Sequence, residues 1–205
     1  MAPIEVVLFD FGGVIAPLAA DDAVGRLEAA LRLAPGTLHT HMYEGDLWPD
    51  LSVGKLTEDE YWHALGGLVG HEPNALRQAL VPIWDPQAID IEVIAMAQAL
   101  RDHVRVAILS NATLRLETHL QTLGIGCLFD PVINSARVGL RKPDPAVFHH
   151  ALTQLGVPAG SVLFIDDKER NTVVAEELGI PSIRFESAEH LRDVLATHDL
   201  LAPVT

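Results

Sequence analysis

Five short runs of the chain are β-rich, PVIN at 131–134, SVLFI at 161–165, PSIRF at 181–185, IEVVLF at 4–9 and VRVAIL at 104–109, and the last two are nearly continuously apolar. Continuous apolar character, in place of alternation, is what a strand buried on both faces requires. Between the later runs apolar residues recur at helical spacing: Leu116, Leu120 and Leu123; Val147, Phe148, Ala151, Leu152 and Leu155; Val174, Ala175 and Leu178. Each helical stretch closes on a similar tripeptide, Leu123-Gly124-Ile125, Leu155-Gly156-Val157 or Leu178-Gly179-Ile180. Glycine just past a helix end enters the left-handed conformation without a Cβ clash, so these positions mark helix stops before strands. The alternation predicts an α/β fold, a doubly wound, Rossmann-like parallel sheet.

Residues 17–86 interrupt the alternation, with helical signals and no intervening strand. Thr57-Glu58-Asp59-Glu60 is a capping box, and Tyr61, Ala64, Leu65, Leu68 and Val69 then line one helix face. The α/β pattern resumes with Ile89, Val93, Met96, Ala97 and Leu100. The expectation is a core of residues 1–16 and 87–205 and an inserted all-helical cap at 17–86, with Pro17 and Pro86 near its hinges. The competing arrangement is one continuous domain with a helical layer.

Charge narrows the function. Lys and Arg total 14 against 28 Asp and Glu, a formal net charge of −14. Such a chain repels nucleic-acid backbones and anionic lipid, and no run of basic residues in the sequence offers a phosphate-tracking stripe. Neither nucleic acid nor membrane is an expected partner. Cys127 is the single cysteine, and the opening MAPIEVVLFD lacks the charged n-region of a secretory signal, so the expected compartment is the cytoplasm. No apolar run reaches the roughly 18 residues of a membrane span, and an apolar content of 49% is too high for disorder.

Ligands of open parallel sheets bind at the carboxyl ends of strands, near the switch in strand order. Asp10 follows the first run, Ser110 and Asn111 the second, and Asp166 and Asp167 the run at 161–165; Gly139-Leu140-Arg141-Lys142-Pro143 precedes the helix at 145. Any one of these is ordinary turn or cap chemistry. Together, three strand ends carry three carboxylates and a hydroxyl, with a lysine nearby.

In VVLFDFGGV at 6–14, ILSNA at 108–112, GLRKPDPAVF at 139–148 and FIDDKERN at 164–171, the chain resembles the haloacid dehalogenase superfamily of hydrolases, in particular its phosphatase-like members with a small helical cap. The resemblance implies a Mg²⁺-dependent phosphatase. Asp10 would be the nucleophile, forming an aspartyl-phosphate that water hydrolyses. Asp10, Asp167, Asp166 acting through water, and the backbone carbonyl of Gly12 would hold the metal, as hard oxygen donors suited to Mg²⁺. Ser110 and the backbone N–H of Asn111 would bind the phosphoryl oxygens. Lys142 would neutralise the transferring group and keep Asp10 ionised. Asn171 would support the metal shell by hydrogen bonding.

One position departs from the pattern. Most phosphatases of that family carry a second aspartate two residues after the nucleophile, where this chain has Gly12. General acid–base catalysis is worth about 10²- to 10⁴-fold, so its loss weighs most on poor leaving groups. Three readings follow: a phosphatase for anomeric, acyl or aryl phosphates, with water or a residue such as His41, Glu44 or Asp46 standing in; a 2-haloacid dehalogenase, for which the Asp166–Asp167 pair is superfluous; or a non-catalytic binder of a phosphorylated ligand or protein partner. The expected ligand is a small phosphorylated molecule, bound by a monomer or homodimer. His39 and His41, two apart and without cysteines, do not make a zinc site. His149 and His150 flank an apolar stripe, and Trp48, Trp62 and Trp84 are expected to pack the cap's interior.

Overall fold

The computed structural model describes residues 3–17, 21–84 and 88–201, with side chains at all of these except 21, 22, 43, 44, 82 and 84. Pro86 and the side chains of Glu44 and Trp84 lie outside the described residues. All five predicted strands form: β1 (Val6–Phe9), β2 (Arg105–Ser110), β3 (Val132–Asn134), β4 (Val162–Asp166) and β5 (Ser182–Arg184). They make one parallel sheet in the order β3-β2-β1-β4-β5, with Phe9 in register with both Ile108 and Ile165.

The insertion between β1 and β2 carries α1 (Asp21–Ala30), α2 (Thr37–His39) running into a π-helical turn (Thr40–Glu44), α3 (Leu47–Ser52), α4 (Glu58–Val69) and α5 (Pro73–Trp84). Helix α6 (Ile91–Leu100) then leads into β2, α7 (Leu116–Thr122) follows β2, and α8 (Ser135–Val138) and α9 (Pro145–Leu155) join β3 to β4. Helix α10 (Glu169–Glu177) joins β4 to β5, and α11 (Ala188–Thr197) completes the described chain.

Alternate strand residues point to opposite faces, and both faces are covered. Val7, Phe9, Val106, Ile108, Leu163 and Ile165 pack with Val93 and Leu100 of α6, Leu116 of α7 and Leu191 of α11. Val6, Leu8, Ala107, Leu109 and Phe164 pack with Val147 and Phe148 of α9 and Ala175 of α10. This explains the uninterrupted apolar runs. Gly124, Gly156 and Gly179, at φ 73°, 67° and 78°, stop the preceding helices where the sequence predicts.

The inserted helices bury a third cluster that includes Leu38, Met42, Tyr61, Trp62, Leu65, Leu76 and Leu80, with Trp48 packed against it. The capping box at Thr57 forms, its hydroxyl accepting from the Glu60 N–H and its N–H donating to the Glu60 carboxylate. Leu68 departs from the predicted face: it is 56% exposed, because the α4 stripe that meets α5 runs through Tyr61, Leu65 and Val69. The two chain segments flanking the insertion meet where the Asp90 N–H donates to the Ile15 carbonyl at 2.8 Å.

Candidate functional site

Sheet order reverses about β1, whose neighbours β2 and β4 lie on either side, and that switch point brings the strand-end residues together. Asp10 follows β1 with its N–H bonded to the Ile165 carbonyl at 2.8 Å, which sets it beside Asp166 at the end of β4. Ser110 ends β2 and is buried. The Phe11 carbonyl accepts from the Ile15 and Ala16 N–H groups at 2.9 Å each, folding the chain back directly after Asp10.

Lys142 enters from the loop between α8 and α9, and its side chain is 1% exposed. Its ammonium donates to the Leu109 carbonyl at 2.7 Å and to Asp166 Oδ2 at 2.6 Å, and pairs with Asp10 Oδ1 at 3.0 Å. One cation therefore ties the ends of β2, β4 and β1. Asn111 holds the Lys142 backbone from both sides: its Nδ2 donates to the Lys142 carbonyl and its Oδ1 accepts the Lys142 N–H, each at 2.8 Å. With that side chain engaged, the group Asn111 can present to a ligand is its backbone N–H.

Asp166 is fully buried and bonded on both oxygens. Oδ1 accepts from the Lys168 N–H at 2.9 Å and from Asn171 Nδ2 at 2.8 Å, while Oδ2 faces Lys142. The hydrogen bond expected of Asn171 thus goes to Asp166. Asp167 differs, because its Oδ1 is buried without a hydrogen-bond partner. A buried carboxylate oxygen left unpaired is costly, and a cation is the partner that removes the cost. Among the described residues Asp10, Asp166 and Asp167 are the one group of at least three potential ligands whose donor atoms all lie within 4.8 Å of one another. Hard, all-oxygen donors of this kind fit Mg²⁺.

The charges are mutually tuned. Burial raises the Asp10 carboxyl to about 6, with Lys142 opposing and Asp166 reinforcing the rise. Burial pulls the Lys142 ammonium down, but Asp10 and Asp166 outweigh it and leave it above its ordinary range. Asp167 is also raised, chiefly by burial, against the opposing charge of Lys168.

Gly12 faces open space, with nothing within 4 Å of where a Cβ would stand, and its φ is not left-handed. A side chain would fit there. Gly13 is the opposite case and one that sequence reasoning missed: it sits at φ 88°, and a Cβ would lie 2.6 Å from the Asp167 carboxylate carbon. Its signal was the doubled glycine directly after Asp10-Phe11. In the insertion, His41 is half-buried and Asp46 exposed, and among the described residues neither forms a hydrogen bond or ion pair with Asp10.

A family model described as haloacid dehalogenase-like hydrolase matches residues 4–179. The D-ribitol-5-phosphate phosphatase of Bacteroides thetaiotaomicron is 27% identical over 206 residues, covering 94% of this chain and 97% of that protein. Drimenol cyclase drtB of Aspergillus calidoustus is 29% identical over 156 residues, covering 74% of this chain, and the chain spans only 30% of that relative's length. Among solved structures, a predicted HAD-like family hydrolase from Porphyromonas gingivalis superposes with a TM-score of 0.80 at 26% identity, covering 96% of this chain and 98% of that one. A HAD family enzyme from B. thetaiotaomicron in complex with magnesium and inorganic phosphate shares the fold, with a TM-score of 0.74 at 21% identity, covering 92% and 98% of the two chains.

Proposed function

Because the chain belongs to the haloacid dehalogenase-like hydrolases, we propose that it is a Mg²⁺-dependent phosphatase that hydrolyses a small organic phosphate monoester through Asp10. The observation that carries this reading is the unpartnered Asp167 oxygen beside Asp10 and Asp166: a carbon-directed dehalogenase has no use for a third carboxylate, whereas attack by a carboxylate on a phosphate dianion calls for a cation between the two anions. The magnesium and phosphate of one structural neighbour and the phosphatase activity of the ribitol relative agree with it.

Asp10, Asp167, the Gly12 carbonyl and, through water, Asp166 would hold the ion, which screens the carboxylates from the incoming dianion. An oxygen of Asp10 attacks phosphorus and displaces the alkoxide; water then cleaves the aspartyl-phosphate, releasing phosphate and restoring the carboxylate. Ser110 Oγ and the Asn111 N–H bind equatorial phosphoryl oxygens, and Lys142 neutralises charge on the transferring group while keeping Asp10 ionised. Residues 17–86 act as a cap that excludes water from this step. Without a carboxylic acid at position 12, esters whose leaving group needs no protonation suit the site better than the alkyl ester for which the ribitol relative is named.

The test is phosphate release from sugar, acyl, aryl and alkyl phosphates with and without Mg²⁺. The expected outcome is Mg²⁺-dependent turnover that Asp10→Asn abolishes while folding is retained. Chloride release from 2-chloropropionate in EDTA, with no phosphate released from any ester, would replace this reading with the dehalogenase.

A further inference from the structure

Helix α5 has two faces. Leu76 and Leu80 are fully buried in the apolar cluster of the insertion. Asn74, Arg77, Gln78 and Val81, at the i, i+3, i+4, i+7 spacing that sets side chains on one side of a helix, stand opposite them. With Arg115, the residue directly before α7, these four line a cleft of about 500 Å³, a volume typical of small-molecule sites. The cleft thus lies between the insertion and the helix that follows β2. Among the described residues its lining has no member in common with the Asp10 centre, and it contains no carboxylate.

A single atom shows how near the two arginines are. Glu58 Oε2 lies 3.4 Å from Arg77 Nη2 and 3.9 Å from Arg115 Nη1, and Arg77 Nη1 reaches Asp59 Oδ1 at 3.1 Å. All three contacts are longer than the roughly 2.7–2.9 Å of a tight charge-assisted hydrogen bond. Asp59 is 80% exposed, so water screens its charge. One carboxylate oxygen therefore already stands between both arginines, loosely held. Each guanidinium carries five N–H donors in a planar fork that matches the oxygens of a carboxylate or phosphate, so an oxyanion entering the cleft can bond the two arginines together. Asn74 and Gln78 add carboxamides, which both donate and accept and so suit hydroxyl groups, while Val81 offers one apolar patch. Such a wall favours a hydroxylated anion over a neutral or apolar molecule.

We infer that the cleft between α5 and the start of α7 is a second binding site, separate from the Asp10 centre, for a small hydroxylated oxyanion: Arg77 and Arg115 hold its carboxylate or phosphate, and Asn74 and Gln78 its hydroxyls. A ligand there touches the insertion and the sheet layer at once. None of the lining residues takes part in the proposed phosphoryl transfer, so the site stands or falls independently of it.

Calorimetry in metal-free buffer with D-gluconate, sorbitol 6-phosphate and sorbitol tests the site, since these polyols differ in carrying a carboxylate, a phosphate or neither. At least one of the two anions should bind while sorbitol does not, and the tighter of the two identifies the oxyanion. Asp10→Asn should retain the binding. Arg77→Gln and Arg115→Gln, both at partly exposed positions, should each weaken it by at least about tenfold, the worth of a charged hydrogen bond. Gln78→Trp, which fills the cleft and leaves both charges in place, should abolish it. Four results would overturn the site: binding of neither anion, equal binding of sorbitol, an affinity that survives the arginine variants and Gln78→Trp, or binding that appears only when Mg²⁺ is added and disappears in Asp10→Asn.

Discussion

Asp10 carries two burdens that pull against each other. On the proposed reading it must be ionised to attack and to bind a cation, yet burial lifts its carboxyl to about 6. Mg²⁺ binding below that value must displace a proton, so the apparent affinity should fall by about tenfold per pH unit below pH 6 and level off above it, as isothermal titration across pH would show. The same shift acts on folding. In EDTA the folded chain holds this proton more tightly than the unfolded chain, so the stabilisation from Asp10 is present below its ordinary 3.8 and lost as pH rises through about 6. Mg²⁺ should therefore raise Tm more at pH 8 than at pH 5; equal shifts would contradict the coupling. Lys142→Met leaves Asp10 and Asp166 buried without their shared cation and should cost about 3–5 kcal/mol in denaturant unfolding. At Gly12 there is room for a carboxylate, so Gly12→Asp should fold normally and accelerate alkyl esters by about 10²-fold or more while changing aryl esters little. A uniform gain across leaving groups would show that protonation was never limiting.

At the scale of elements, the sequence announced its strands through unbroken apolar runs and its helix ends through glycine, because both signals are local consequences of burial and of φ. Contacts between loops carry no such signature. Leu68 was misplaced for a related reason: which stripe of α4 is buried depends on where α5 lies. Gly13 was visible as a residue but not as a constraint, since its neighbour Asp167 is far along the chain. Gly13→Ala should displace the Asp167 carboxylate and abolish the Mg²⁺-induced rise in Tm; a retained rise would remove Asp167 from the metal site. The close approach of Gly54, at φ 72°, to the Ala136 carbonyl joins the insertion to α8. Gly54→Ala should loosen that contact and raise KM more than it lowers kcat.

For the molecule as a whole, the strand order accounts for why a chain this acidic can gather its carboxylates at one place. The order reverses about β1, so that Asp10, directly after β1, comes beside Ser110 and Asp166, the residues with which the neighbouring strands β2 and β4 end. The five strands were legible in advance, while the tie between Asp90 and Ile15 was not, because it depends on the chain returning to its starting point. No helix among the described residues is long and apolar enough to cross a membrane. On the proposed reading, the repulsion of a dianion by a net charge of −14 would be overcome only locally, by Lys142 and by a divalent cation at the three carboxylates. With glycine at position 12, an activated aryl ester should phosphorylate Asp10 quickly and the second, water-dependent step should lag. The decisive measurement is therefore stopped-flow release of p-nitrophenolate from p-nitrophenyl phosphate in Mg²⁺. A stoichiometric burst followed by slow turnover, absent in EDTA and absent in Asp10→Asn, is the predicted result; linear release from the first turnover, at the same rate in Asp10→Asn as in the wild type, would contradict the assignment of Asp10 as nucleophile.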